Sequence, residues 1–172
     1  AASLFRQQRS GRIVNMTSDA GLGTIGQSNY AASSEAIVGL TRTIARDLGK
    51  YGVTCNAIST PVSTRISTHV DTNWPQLQST YPKFEQSSDV DSVPTTMQWN
   101  GSGHPDDPGN VAPLAVYLCT NASPNINGNV FGVRGGSIHL YSNPTVERSI
   151  HKWGQFTLNE IDVLAPKMFG KG

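Results

Sequence analysis

The chain has 172 residues, enough for one domain with a core of its own. Its 13 Lys and Arg against 12 Asp and Glu leave a net charge of +1, and the basic residues are scattered, which excludes the electrostatic footprint of a nucleic-acid binder. No apolar run approaches the ~20 residues of a membrane span, so no membrane association is expected.

Taken in chain order, Ala1 to Gln8 (A-A-S-L-F-R-Q-Q) reads as the tail of a helix cut in the middle, not as a basic-then-apolar leader. A chain whose N-terminal part is missing is the expectation. Arg12 to Met16 (R-I-V-N-M) is a short apolar run that suits a buried strand. A Gly-rich loop, Ser18 to Gln27, follows. From Ser28 to Leu48 the pattern turns helical, and Ile37, Leu40, Ile44 and Leu48 predict one apolar stripe. Gly49 reads as its stop, with Arg46 and Lys50 near the negative end of the helix dipole. Gly52 to Ile58 reads as a second strand. Strand, long helix, strand is the sign of a right-handed parallel crossover.

Ser59 to Gly109 changes character, with six prolines and few periodic apolar positions. Segments this long without periodicity are usually lids, binding segments or disordered, and His69 to Leu77 has room for a short helix. Trp74, Tyr81, Phe84 and Trp99 within it either line a substrate lid or pin the segment to the core. Order resumes at Asn110, read as an N-cap, with Pro113 in the first turn. Val111, Leu114, Val116, Tyr117 and Leu118 predict a mostly buried helix ending near Asn121. Asn129 to Val133 reads as a third strand closed by Gly135-Gly136, which Ser137 to Tyr141 extends or pairs with. Leu158, Ile161 and Leu164 predict a last helix, opened by a capping box at Thr157 and Glu160.

Cys55 and Cys119 lie outside any C-x-x-C and read as small core residues in a reducing compartment, with a disulfide left open. The sequons at Asn15, Asn100 and Asn121 read as chance matches in an intracellular protein, because Asn15 falls inside the first strand. His69, His104, His139 and His151 lack metal-ligand spacing and read as surface or loop residues. Gly21 to Gly26 (G-L-G-T-I-G) imitates a dinucleotide fingerprint. A fingerprint begins at the strand end and places its acid at the tip of the next strand. Here four residues intervene after Met16, and Asp47 lies on the helix, so the loop reads as a substrate border instead.

The segment Ser18 to Ser34, S-D-A-G-L-G-T-I-G-Q-S-N-Y-A-A-S-S, carries the chemistry. It places a hydroxyl after the first strand, a turn-rich loop, and Tyr30 at a helix start. Together with G-R-I-V-N-M-T before it and E-A-I-V-G-L-T-R-T-I-A-R-D-L-G-K-Y-G-V-T-C-N-A-I after it, this run resembles the central part of the short-chain dehydrogenase/reductase family. P-G-N-V-A-P-L-A-V-Y-L and G-N-V-F-G-V-R-G-G resemble that family's last helix and last sheet strand. The resemblance covers about residues 1 to 141, with a long substrate-loop insertion at about 67–107. The remaining 142–172 form a C-terminal extension like that of longer members acting on hydroxyacyl or similar substrates.

The resemblance implies an α/β fold: a Rossmann-like, doubly wound parallel sheet, here incomplete because no segment matches the N-terminal nucleotide-binding half. The asparagine-bearing helix of the family's tetrad has no counterpart either. It implies NAD or NADP as cofactor and Tyr30 as the proton relay. A phenol with a pKa near 10 keeps its proton at neutral pH and can give it to a carbonyl oxygen becoming an alkoxide. Ser18 is implied as the hydroxyl that stabilises that oxygen; its spacing to Tyr30 is one residue short, so Thr17 is an alternative. Tyr30, Ser34, Pro61, Val62 and Thr64 match cofactor-binding positions, although Pro61 falls one place late.

Position 34 departs from the family, which has a lysine there. That lysine lowers the tyrosine's pKa and holds the nicotinamide ribose. A serine hydroxyl does part of the second task and none of the first. Glu35 does not substitute, because it points to another side of the helix and its charge would raise a nearby phenol pKa. The loss of acid–base assistance costs ~10²–10⁴ in rate. The resemblance therefore implies a hydroxyl–carbonyl oxidoreductase acting on a small-molecule alcohol or carbonyl substrate, in the cytoplasm, weak or inactive as a fragment. It also implies homo-oligomers through the 28–48 helix. The alternative is a non-catalytic homologue using that helix as an interaction surface.

Overall fold

In a computed structural model, residues 1–62 and 104–170 are described. They fall into two compact units, Ala1–Tyr141 and Ser142–Gly172.

The first unit is built on four strands in spatial order β1-β2-β3-β4. Helix α1 (Ala2–Gln8) ends at Arg9, whose left-handed backbone (φ 51°) returns its N–H to the Phe5 carbonyl. Strand β1 (Gly11–Thr17) follows at once. Gly11 must lack a side chain, because a Cβ there would lie 2.5 Å from the Phe5 ring. Helix α2 (Ser28–Gly49) then crosses back to β2 (Val53–Ser59), which pairs parallel with β1, Gly11 opposite Val53 and Thr17 opposite Ser59. Strand β3 (Val130–Arg134) pairs parallel on the other side of β2, with Ser59 opposite Gly132. The chain then turns through Gly135-Gly136 into β4 (Ser137–Leu140), antiparallel to β3. The three parallel strands therefore end at one edge, at Thr17, Ser59 and Arg134. In open α/β sheets this is the edge that takes ligands.

Every residue of β2 is buried, as expected of a central parallel strand covered on both faces. On one face, helix α3 (Ala112–Cys119) and the short 3₁₀ turn before it (Pro108–Val111) close a core of Ile58, Val111, Leu118 and Val133. Burying each such side chain contributes ~1.5–3 kcal/mol. On the other face, Val38 of α2 meets Ala57 and Val130, with Tyr141 packed against them. Gly132 makes room for Tyr141: a Cβ would come within 3.2 Å of its phenol ring and hydroxyl.

Hydrogen bonds join α2 to β1. Asn15 Nδ2 donates to Thr41 Oγ1 at 2.9 Å, and Thr41 donates in turn to the Ile37 carbonyl. Asn127 joins α2 to β2, accepting from the Cys55 N–H and donating to the Ala45 carbonyl. At the opposite end of the sheet, the cations of Arg6, Arg9 and Lys50 surround one ring, Tyr51, at 5.0, 5.8 and 5.3 Å.

Five sequence expectations need correction. Strand β1 is not a buried strand: its residues are half-buried and Met16 is exposed. The buried stripe of α2 is Ser34, Val38, Thr41, Ala45 and Leu48, while Leu40 is exposed; the face is set by hydrogen bonds to β1 as much as by apolar packing. Helix α3 is not mostly buried: Leu118 is enclosed, but Val116 and Tyr117 face outward, because the helix covers the sheet with one side only. Cys119 lies on that outer side, so only Cys55 is a core residue; both thiols are free. Asn110 is not an N-cap. Asp107 caps the 3₁₀ turn, and Asn110 instead donates to the His104 and Pro105 carbonyls.

The second unit holds helix α4 (Leu158–Phe169). Its start is the expected capping box, with the Thr157 hydroxyl accepting from Glu160 N–H and the Glu160 carboxylate accepting from Thr157 N–H. Among the described residues no helix is long and apolar enough to cross a membrane.

Candidate active site

The site lies at the carboxyl edge of β1. Ser18 is the first residue beyond the strand and the N-cap of a short 3₁₀ turn, Asp19–Leu22. Its Oγ accepts from the Ala20 N–H at 3.2 Å and donates to Asp19 Oδ1 at 3.3 Å, a long bond. The loop then bends at Gly23 and Gly26, both with positive φ, and delivers Tyr30 to the first turn of α2. The G-L-G-T-I-G stretch thus forms a turn and loop before α2. It does not form a glycine turn that opens a helix directly from a strand.

Tyr30 is 46% exposed, and its phenol makes no hydrogen bond among the described residues. Its backbone is heavily engaged instead: the N–H donates to Asn29 Oδ1, and the hydroxyls of Ser33 and Ser34 both donate to its carbonyl at 2.8 Å. Ser34 is 4% exposed, facing the sheet. Its one hydroxyl proton is committed to the Tyr30 carbonyl, a return bond common for serine in helices.

Thr17, the alternative to Ser18, is also committed. Its Oγ1 donates to the Ser34 carbonyl at 2.7 Å. The Ser18 proton, on a longer bond to an exposed carboxylate, is the freer of the two. Beside Thr17 in the sheet, Ser59 keeps a buried hydroxyl without a partner among the described residues, so this corner retains unused hydrogen-bonding capacity. Pro61 and Val62 follow the end of β2, where Thr60 Oγ1 donates to the Val133 carbonyl and Val62 packs on the core. Thr64, the 63–103 part of the substrate segment, and its aromatic residues lie outside the described residues. Glu35 is exposed, with its carboxylate over Gly21.

Where the chain re-enters the described region, Asp106 is buried and takes Arg134 Nε at 3.1 Å, with His104 Nδ1 3.6 Å away. Gly135 N–H bonds the Pro105 carbonyl at 2.7 Å. These contacts fasten the end of β3, and they join residues too far apart in the chain to leave a local pattern.

Residues 1–137 match the family model described as Enoyl-(Acyl carrier protein) reductase. The chain belongs to the short-chain dehydrogenase/reductase family. Relatives within it include a hydroxyacyl-CoA dehydrogenase of Mycobacterium tuberculosis, 36% identical over 139 residues, a match covering 80% of this chain and 37% of that protein. The human (3R)-3-hydroxyacyl-CoA dehydrogenase is 33% identical over 142 residues, covering 79% of this chain and 46% of that one. The chain thus spans less than half the length of these relatives. A crystal structure of a short chain dehydrogenase from Mycobacterium avium superposes with a TM-score of 0.73 at 29% identity, covering 99% of this chain and 51% of that one.

For a short-chain dehydrogenase/reductase, the donor set fits the reacting end of a nicotinamide cofactor in part. Among the described residues, a half-exposed tyrosine whose phenol has no hydrogen-bond partner and a serine just beyond the end of β1 are present. The cation that would sit one turn after the phenol is not, since Ser34 is neutral, short and turned to the helix backbone.

Proposed function

We propose that the protein is an NAD- or NADP-dependent oxidoreductase that interconverts a hydroxyl and a carbonyl on a hydroxyacyl-type small molecule, at a rate held down by Ser34. The observation that carries this reading is the phenol of Tyr30, on a half-exposed residue and without a hydrogen-bond partner among the described residues, in the first turn of the helix that follows Ser18. Kinship to proteins named as hydroxyacyl-CoA dehydrogenases supports the substrate class.

When bound, a nicotinamide dinucleotide supplies the hydride-carrying ring. Tyr30 gives its phenolic proton to the carbonyl oxygen as that oxygen gains charge, and takes it back in the oxidative direction. Ser18 donates to the same oxygen after releasing Asp19. Position 34 offers no positive charge to stabilise the phenolate, so the proton transfer runs ~10²–10⁴ slower than with a charged partner. Pro61, Val62 and Thr64 belong to the proposed cofactor contacts. The exposed Leu40 on the outer face of α2 supports homo-oligomers through that helix, and a cytoplasmic setting belongs to the same proposal.

The test is turnover of a short 3-hydroxyacyl-CoA with NAD⁺ or NADP⁺, followed by nicotinamide absorbance, for the protein and its Ser34→Lys variant. Slow turnover that rises ~10²-fold or more in S34K is expected. Equal, fast rates would refute the role given to position 34. Absence of turnover in both, with cofactor binding also absent, would favour a non-catalytic interaction subunit.

A further inference from the structure

We infer that Thr17 is a positioning residue that sets Tyr30 against Ser18; this rests on the reading of those two as the reacting pair. The path between the two side chains is short and hydrogen-bonded. Ser18 is joined covalently to Thr17, and the Thr17 hydroxyl donates to the Ser34 carbonyl at 2.7 Å. The Ser34 hydroxyl donates to the Tyr30 carbonyl at 2.8 Å. Loop residues 19–27 offer the only other route along the chain, and that route bends at two glycines with positive φ.

The Ser34 carbonyl lies inside α2 and has an intrahelical N–H partner by the ordinary pattern of a helix. The Thr17 bond is therefore additional, and the helix does not need it in order to form. What it fixes is where the first turn of α2 stands relative to the end of β1. Asn15, two residues earlier on the same face of β1, makes the corresponding bond to Thr41, seven residues further along α2. Two fastenings on one strand face oppose both sliding and rolling of the helix. The fastening at Thr17 is the one next to the reacting groups. The Thr17 proton is in use on this shorter bond, which leaves Ser18, on its longer bond to Asp19, as the freer donor.

A misplacement of about 1 Å between reacting groups can cost ~10²-fold in rate. Thr17→Val keeps the shape and removes the donor; Thr17→Ser restores it. Each is made in the protein, and beside it in the S34K variant, which keeps the backbone acceptor at position 34 but loses the hydroxyl bond to the Tyr30 carbonyl. Two readouts are taken. One is kcat and KM. The other is the fluorine NMR signal of 3-fluorotyrosine at position 30, assigned by its loss in Tyr30→Phe. T17V is expected to lower kcat ~10–100-fold with KM within about two-fold, to shift or broaden the Tyr30 signal, and to keep a cooperative melt. T17S is expected to recover both readouts.

An unchanged Tyr30 signal and unchanged kcat in folded T17V overturn the inference. If the signal responds and recovers as expected while no variant turns over, positioning by Thr17 stands and the oxidoreductase reading falls. If T17V loses its cooperative melt, Thr17→Ala against T17S carries the same comparison, and failure of T17S to restore the signal overturns the inference.

Discussion

Replacing Tyr30 by phenylalanine removes one oxygen from a residue that is 46% exposed and whose phenol bonds nothing among the described residues. The fold should hardly register the change. All the hydrogen bonds that seat this residue run through its backbone, from Asn29, Ser33 and Ser34, and phenylalanine keeps them. Stability is expected to stay within ~0.5 kcal/mol, as for surface substitutions away from special features. For a domain of this size that is a shift of at most about 2 °C in melting temperature. Chemistry should respond in the opposite way. Losing the proton donor costs ~10²–10⁴ in kcat, equivalent to ~2.7–5.5 kcal/mol of transition-state stabilisation. The assay is a thermal melt beside turnover, in the S34K variant where the rate is easier to measure. A Y30F variant that melts several degrees lower, or one that keeps its turnover, would refute the reasoning: the first by showing the phenol to be structural, the second by showing the proton to come from elsewhere.

Other expectations follow from packing and charge. Leu118 is fully enclosed between α3 and the sheet, so Leu118→Ala should cost ~2–5 kcal/mol in urea unfolding, whereas Val116→Ala on the outer side should cost little. Native protein should react with a thiol reagent at Cys119 alone, and at two cysteines once unfolded, because burial raises the Cys55 thiol pKa against the opposing pull of Thr41 and Asn15. Arg134→Met should destabilise by ~2–4 kcal/mol, since it strips the arginine from the buried Asp106 carboxylate and leaves His104 at 3.6 Å, while Arg134 itself is partly solvated. In the second unit, the Lys152 ammonium first, and then the Thr157 N–H and hydroxyl, hold Glu160 down to about 2 from an ordinary 4.5. A depressed carboxylate stabilises the folded form above its unfolded pKa and loses that contribution as pH falls. Helicity of α4, read by circular dichroism in the isolated 142–172 peptide and the protein, should therefore decline between pH about 4.5 and about 2 and be flat above.

The elements of this fold are written in periodicity and punctuation. The V-N-M and T-C-N-A-I runs, the glycines that bound them, and the Thr157–Glu160 pair each announce a strand or a helix start with a local cause. The face that α2 turns to the sheet was not legible in the same way. Hydrophobicity picked Ile37, Leu40, Ile44 and Leu48, of which only Leu48 is buried, and the buried positions 34, 38, 41, 45 and 48 include a serine and a threonine. Polar residues that are paired across an interface count as exposed in any reading based on hydropathy alone, and their partners, Asn15 and Thr17, lie on another element. The candidate site was half legible. Tyr30 and Ser18 stand in one continuous motif, so their types and spacing could be read. The commitment of Thr17 to the Ser34 carbonyl, and the clasp of Asp106 on Arg134, join residues 17 and 28 positions apart and leave no local trace.

The three cations gathered on Tyr51 give one corner of the protein an inverted response to ionic strength. Each is attracted to the ring by ~0.5–1 kcal/mol and repelled by the other two. Dissolved ions at about 0.15 M screen beyond ~8 Å, a range comparable to the spacing of charges around one aromatic ring, and so weaken the repulsion more than the contact attraction. Added salt should thus tighten the seat of α1 on the turn after α2, where surface ion pairs such as Arg148 with Glu147 would loosen.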